Sequence, residues 1–118
     1  MTITLPIRPK AKARPRFYNG HAVTPQETRD YEYAIAVEVG LLTDEPLEGA
    51  IRLNLTFGFK AKNGSGWHTK KPDLDNLIKA VCDACNGILW LDDRQIAEIS
   101  ARKIYGDSDF VQIFADEM

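Results

Sequence analysis

The sequence predicts an α+β fold: a single domain, residues 1–118, with two main helices packed on a mostly antiparallel or mixed β-sheet. Three patterns predict it. Ile51, Leu53, Leu55, Phe57 and Phe59 alternate with Arg52, Asn54, Thr56 and Gly58, the period of a long strand with one buried face. Tyr31, Ile35, Val39 and Leu42, and later Leu74, Leu77, Ile78, Val81 and Cys85, recur every three or four positions, the period of a helix that buries one stripe. Shorter alternating segments at both ends of the chain supply the rest of the sheet.

In chain order, Thr2 to Ile7 alternates as a strand, and Arg8 to Pro15 is a basic loop with two prolines. Arg16 to Thr24 reads as a tight hairpin, because Asn19-Gly20 suits the positive-φ positions of a type I′ turn. Thr24-Pro25 opens the first helix, with Thr as a cap and Pro tolerated in the first turn. Asp44 to Gly49 is a turn region, and the long strand follows. Lys60 to Lys71 is polar, contains Gly64-Ser65-Gly66, and is expected to be mobile. The second helix spans about Asp73 to Asn86, and Asn86-Gly87 stops it. Gln95 to Tyr105 and Phe110 to Phe114 complete the strands, separated by the Gly106-Asp107 turn. There is no internal repeat.

At 44% apolar and 27% charged residues, the composition is that of a soluble globular domain large enough for an ordinary core. No apolar run approaches the ~20 residues of a membrane helix. The first residues turn basic too soon for a secretory signal, so the expected location is cytoplasmic. Cys82 and Cys85 have a C-x-x-C spacing, but they fall inside the helical pattern. A zinc site needs about four ligands, and the only histidines are His21 and His68. Buried, inert thiols are the expectation.

The formal net charge of -2 hides a segregation of charge. Residues 1–26 hold no acid, but they carry Arg8, Lys10, Lys12, Arg14 and Arg16. Residues 49–72 also hold none, and they carry Arg52, Lys60, Lys62, Lys70 and Lys71. These ten are two-thirds of the 15 basic side chains, which suits a polyanion-binding face on an acidic protein. Close beside them lie four aspartates, in Lys71-Pro-Asp-Leu-Asp-Asn-Leu-Ile-Lys79 and Trp90-Leu-Asp-Asp-Arg-Gln95. Carboxylates so close together repel one another unless a cation lies between them.

Each acid has a plain alternative. Asp is a favoured helix cap, and acids suit the positive end of a helix; that accounts for one of Asp73 and Asp75. An exposed turn accounts for Asp92-Asp93. Mg²⁺, a hard ion that takes one or two carboxylates plus waters and phosphate, accounts for the group. Asp73, Asp75 and one of Asp92 or Asp93 would supply such a site. Lys79 stands one helical turn after Asp75, either as an i, i+4 ion partner or as a cation for charge developing on a phosphate. A helix from Asp75 to Gly87 runs about 18 Å, and the six residues onward span at most about 20 Å. Asp93 reaches Asp75 in one chain only if the chain turns back almost at once; otherwise it meets the aspartates of a second subunit. Trp67 and His68 lie in the Gly-rich basic loop, where Trp67 either stacks on an unpaired base or tucks against the domain edge, the second being favoured. Trp90 is expected to pack and position the Asp pair.

Lys71 to Lys79, Asp83-Ala-Cys-Asn-Gly87 and Trp90-Leu-Asp-Asp-Arg-Gln-Ile96 together resemble the RusA family of Holliday junction resolvases, small enzymes common in phages and prophages. Pro6 to Phe17 is similar to the basic N-terminal segment of that family. The resemblance implies a homodimeric, Mg²⁺-dependent endodeoxyribonuclease acting on four-way DNA junctions in recombination and repair, with Mn²⁺ able to substitute. The family's essential aspartates fall on Asp73, Asp75 and Asp93, and its important lysine falls on Lys79. Asp92 matches an accompanying acid. Cys85 departs from the pattern, since leucine is common there, and Ala61 to Thr69 matches weakly. Arg8, Lys10, Lys12, Arg14, Arg16, Lys60, Lys62, Lys70 and Lys71 would then contact DNA phosphates, which position a duplex without reading it. Two other readings stand beside this one. One is a non-catalytic protein that binds branched or single-stranded DNA, its aspartates serving as caps and salt-bridge partners. The other is a nuclease for other branched nucleic acids.

Overall fold

The computed structural model describes residues 1–13 and 16–118. Its strands are β1 (Thr2–Leu5), β2 (Arg16–Tyr18), β3 (His21–Val23), β4 (Ile51–Lys60), β5 (Ile96–Gly106) and β6 (Phe110–Glu117). The helices are α1 (Gln26–Leu42) and α2 (Leu74–Cys85), with a 3₁₀ turn at Asp93–Gln95. Four strands form one sheet in the order β1-β6-β4-β5, and β2 and β3 form a separate hairpin. Asn19 (φ 51°) and Gly20 (φ 79°) make its turn, as the type I′ preference requires.

The sheet is mixed. β6 runs antiparallel to both β1 and β4, but β5 runs parallel to β4. The parallel pair follows from connectivity, because α2 carries the chain from the end of β4 at Lys60 back to the end where β4 began, so that Ile96 starts β5 beside Ile51. The alternating apolar face of β4 is buried from Ile51 to Phe59. It packs with Val111 and Ile113 of β6, Ile3 and Leu5 of β1, Ile35 and Val39 of α1, and Leu77 and Val81 of α2 in one core. Each fully buried aliphatic or aromatic side chain there contributes roughly 1.5–3 kcal/mol. Both helices therefore take their direction from one face of the sheet.

Two helix expectations need correction. The cap position of α1 is Pro25, with no side-chain capping bond, so Thr24 does not cap it. Leu42 is 58% exposed, because the buried stripe Tyr31, Ile35, Val39 ends with the helix's last turn. A second stripe on α1, Tyr33, Val37 and Leu41, also faces outward. No helix among the described residues is long and apolar enough to cross a membrane.

Candidate active site

The chain enters α2 through Lys70 to Asp73. Asp73 occupies the cap position in an extended conformation (φ -70°, ψ 143°), yet its carboxylate makes no capping hydrogen bond. Asp75, in the first turn, accepts only the neighbouring Asn76 N–H at 2.9 Å. Both acids are exposed. The capping role that would explain Asp73 as a structural residue is thus unfilled. The entrance is held by other groups. The Lys103 ammonium, on β5, donates to the carbonyls of Lys70 (2.7 Å) and Pro72 (2.8 Å). From the basic loop, the Lys12 N–H donates to the Asn76 carbonyl at 3.0 Å. Ala11, Lys71, Pro72, Asp73 and Asn76 line an open hollow of about 460 Å³ at this entrance.

α2 stops at Asn86, and Gly87 (φ +78°) reverses the chain, a conformation that glycine adopts without steric cost. Leu89 N–H returns to the Cys85 carbonyl (3.0 Å) and Gly87 N–H to Trp90 O (2.7 Å). Trp90 is fully buried, and its indole N–H donates to the Asn86 side chain at 2.7 Å. The immediate turn-back that Asp93 needs within one chain is therefore present, and Trp90 packs to hold it.

Asp92 and Asp93 separate cleanly. Asp92 caps the 3₁₀ turn, accepting from the Arg94 N–H at 3.1 Å in a reciprocal capping box with Gln95. Gln95 holds the turn with four bonds. Its Oε1 accepts from Leu91 and Asp92 N–H, both at 2.9 Å, and its Nε2 donates to the carbonyls of Leu47 (2.8 Å) and Gly49 (3.0 Å). The carboxylate of Asp93 takes no part in these bonds and in no ion pair among the described residues. Its negative field nevertheless reaches α2, where it helps raise the pKa of Lys79 and Cys82.

Lys79 does not pair with Asp75. It turns the other way along the helix and meets Asp83 at 3.1 Å. Its pKa is raised, first by that hydrogen bond and the charge of Asp83, and also by Asp93. The ammonium keeps 58% of its side-chain exposure, so it is a charged group open to an incoming anion. Asp83 also takes Lys12, at 3.2 Å, and Lys12 bonds Glu32 of α1 as well. Asp83 has no role in the sequence-based expectations; its signal is the i, i+4 spacing to Lys79. Lys12 is a correction in the opposite sense. Its side chain is 23% exposed and committed to two carboxylates, so it ties the basic loop to both helices.

The other basic residues divide by partner. Arg8 pairs with Asp109 at 3.1 Å and lies over the Phe59 ring, 5.4 Å from its centre, while staying 58% exposed. Arg52 pairs with Glu98 at 2.8 Å. Lys10, Lys60, Lys62, Lys70 and Lys71 are exposed, without an ion pair among the described residues. Arg14 and the Arg16 side chain lie outside what the structure describes. In the Gly-rich loop, His68 N–H bonds the Lys103 carbonyl (3.1 Å) and Tyr105 N–H bonds the Gly66 carbonyl (2.9 Å), fastening the end of the loop along β5. His68 is buried, with its ring stacked 4.1 Å from that of Phe59. Burial, and then the charges of Lys103, Arg8 and Lys70, lower its pKa, which favours the neutral imidazole. Trp67, expected to tuck in, is 69% exposed instead, because its backbone bridges to Ile104 while the neighbouring His68 takes the buried side.

Cys82 and Cys85 are free and buried, and burial pushes each thiol up to about 12. They remain protonated at neutral pH and unreactive. Among the described residues, no three His, Cys, Asp or Glu side chains are close enough together to hold a metal ion. The donors do fit Mg²⁺ chemically. Asp73, Asp75 and Asp93 offer carboxylate oxygens with little or no local commitment, and Mg²⁺ binds through one or two carboxylates, completing its shell with water and substrate phosphate.

Comparison with known proteins gives the family. The family model described as "Endodeoxyribonuclease RusA" matches residues 6–114. The chain is 36% identical over 59 residues to the "Uncharacterized protein YqaN" of Bacillus subtilis (strain 168), an alignment covering 50% of this chain and 42% of that protein. It is 26% identical to the "Crossover junction endodeoxyribonuclease rusA" of Lactococcus phage r1t over an alignment of 118 residues, covering 92% of this chain and 83% of that one. The chain spans less than half the length of YqaN but most of the phage enzyme. With the match extending from the basic loop through β6, the chain belongs to the RusA endodeoxyribonuclease family.

Proposed function

We propose that this protein is a Mg²⁺-dependent, structure-specific endodeoxyribonuclease that resolves four-way DNA junctions by paired nicks, with Mn²⁺ able to replace Mg²⁺. One observation carries the reading. Asp73, Asp75 and Asp93 enter no ion pair among the described residues, while Asp83 and Asp92 are spent on Lys12, Lys79 and a cap. These three carboxylates, unlike Asp83 and Asp92, are left available to a cation.

Of Asp73, Asp75 and Asp93, one or two carboxylates would hold the ion directly and the rest would act through its bound water. When bound, it would lower the pKa of the attacking water and draw charge from a non-bridging phosphate oxygen. Lys79, kept protonated by Asp83, supports the negative charge that builds on the phosphate. Lys10, Lys60, Lys62, Lys70 and Lys71, with Arg8, contact phosphates of the junction arms and set its position. Trp67, exposed among these cations, offers a face on which an unpaired base can stack. Two copies suit a substrate of approximate two-fold symmetry with two strands to cut. The outward stripe Tyr33, Val37 and Leu41 offers apolar surface for their pairing. The family's DNA chemistry suits action in the cytoplasm.

Asp75→Asn tests the reading. Junction binding measured without metal is expected to stay within about twofold or improve, while Mg²⁺-dependent nicking falls at least about 100-fold. Normal cleavage by this variant would remove the metal assignment and favour the binding-protein reading. Equal cutting of four-way, flap and linear duplex substrates would remove the junction claim and leave a general nuclease.

A further inference from the structure

The proposed site accounts for the aspartates and Lys79, but not for a third lysine close by. Lys103 lies on β5, outside both acid-bearing motifs, and is half-buried. Its ammonium is neither in an ion pair among the described residues nor turned out to solvent alone. It donates to the Lys70 carbonyl at 2.7 Å and the Pro72 carbonyl at 2.8 Å, and its own carbonyl accepts the His68 N–H at 3.1 Å. One residue thus grips the five-residue stretch His68–Pro72 at three points, immediately before Asp73. Two carbonyls converging on one ammonium fix the direction of that backbone, because a charged donor bonds more strongly than a neutral one. Asp73 itself contributes nothing to holding this entrance, since its carboxylate makes no capping bond.

We propose that Lys103 is a positioning residue for the metal site: by holding the Lys70 and Pro72 carbonyls against β5, it sets where the Asp73 and Asp75 carboxylates stand. This rests on the Mg²⁺ reading above. Lys103 touches neither substrate nor ion in this role, and it acts through the backbone of the α2 entrance. Partners of this kind behind a metal ligand commonly affect ion affinity by about 10–100-fold.

The test uses the intact protein and Mn²⁺ as the probe. Mn²⁺ binding to the DNA-free protein is measured by electron paramagnetic resonance for the native chain, Asp75→Asn, Lys103→Met and Lys103→Gln. Lys103→Met keeps the apolar stem and removes the donor; Lys103→Gln restores a neutral N–H donor. The expected result is Mn²⁺ affinity about 10–100-fold weaker for Lys103→Met and intermediate for Lys103→Gln. Junction binding in EDTA should remain within about twofold, with an unchanged dependence on salt. A Lys103→Met affinity within twofold of native overturns the proposal. So does loss of junction binding in EDTA with a salt slope lower by about one, which would make Lys103 a phosphate contact. If Lys103→Met does not fold, Lys103→Gln with native Mn²⁺ affinity overturns it equally. If the native chain binds no Mn²⁺ that Asp75→Asn abolishes, the metal reading itself fails and this proposal falls with it. Native binding that Asp75→Asn abolishes but both Lys103 variants retain removes the Lys103 proposal alone.

Discussion

The two acid-bearing segments carry the same groups, but the chain fastens them in different ways. At the entrance to α2, the Asp73 carboxylate makes no capping bond and Asp75 accepts from the adjacent Asn76 N–H; the grip comes from outside, through the Lys103 ammonium and the Lys12 backbone. At the 3₁₀ turn the work is done from within. Asp92 is consumed as a cap, Gln95 makes four hydrogen bonds, and Asp93 is left uncommitted. Adjacent aspartates of one composition thus differ in what they are free to do. Hydrogen-bond bookkeeping separates an acid that shapes the fold from one available for chemistry, where residue type cannot.

That contrast is sharpest if the two members of the Asp pair are replaced separately. Asp93→Asn should lower Mg²⁺-dependent nicking at least about 100-fold with little change in melting temperature, read from a junction-cleavage time course and a thermal melt. Gln95→Ala should be the larger structural lesion. It strips partners from two N–H groups and two carbonyls, at a cost on the order of 2 kcal/mol in denaturant unfolding. Nicking should fall with it as Asp93 loses its place. Asp92→Ala should remove about 1 kcal/mol as a lost cap, a drop of roughly 4 °C in Tm, with nicking reduced far less than by Asp93→Asn. If Asp92→Ala abolished nicking and Asp93→Asn only lowered Tm, the two roles would be reversed.

Much of this arrangement was legible in the sequence, and the exceptions have physical causes. The β4 alternation, the α2 stripe and the Asn19-Gly20 turn are local patterns, so they could be read directly. The distance argument for Asp93 was legible as a choice: the chain reverses at once, or Asp93 meets the aspartates of a second subunit. Gly87 and the Trp90–Asn86 bond make the reversal. The parallel pairing of β4 with β5 was not legible, because strand order depends on contacts far apart in sequence. Lys12 looked like a DNA contact because a sequence shows its charge but not its partners, Glu32 and Asp83, which two helices bring together. Lys103 had no signature at all, since its partners are backbone carbonyls. Lys79 was read against Asp75, one helical turn before it, whereas the structure pairs it with Asp83, one turn after it.

The central claim is that Asp73, Asp75 and Asp93 of one chain serve one metal ion. Anomalous diffraction from a crystal grown with Mn²⁺ tests it most directly. The account predicts a single strong peak or a close pair at the α2 entrance, within ligand distance of Asp73 or Asp75 and of Asp93 from the same chain, with Asp92 still capping its turn. A peak held by Asp83 or Asp92, or a site completed by Asp93 of a second copy, would contradict it.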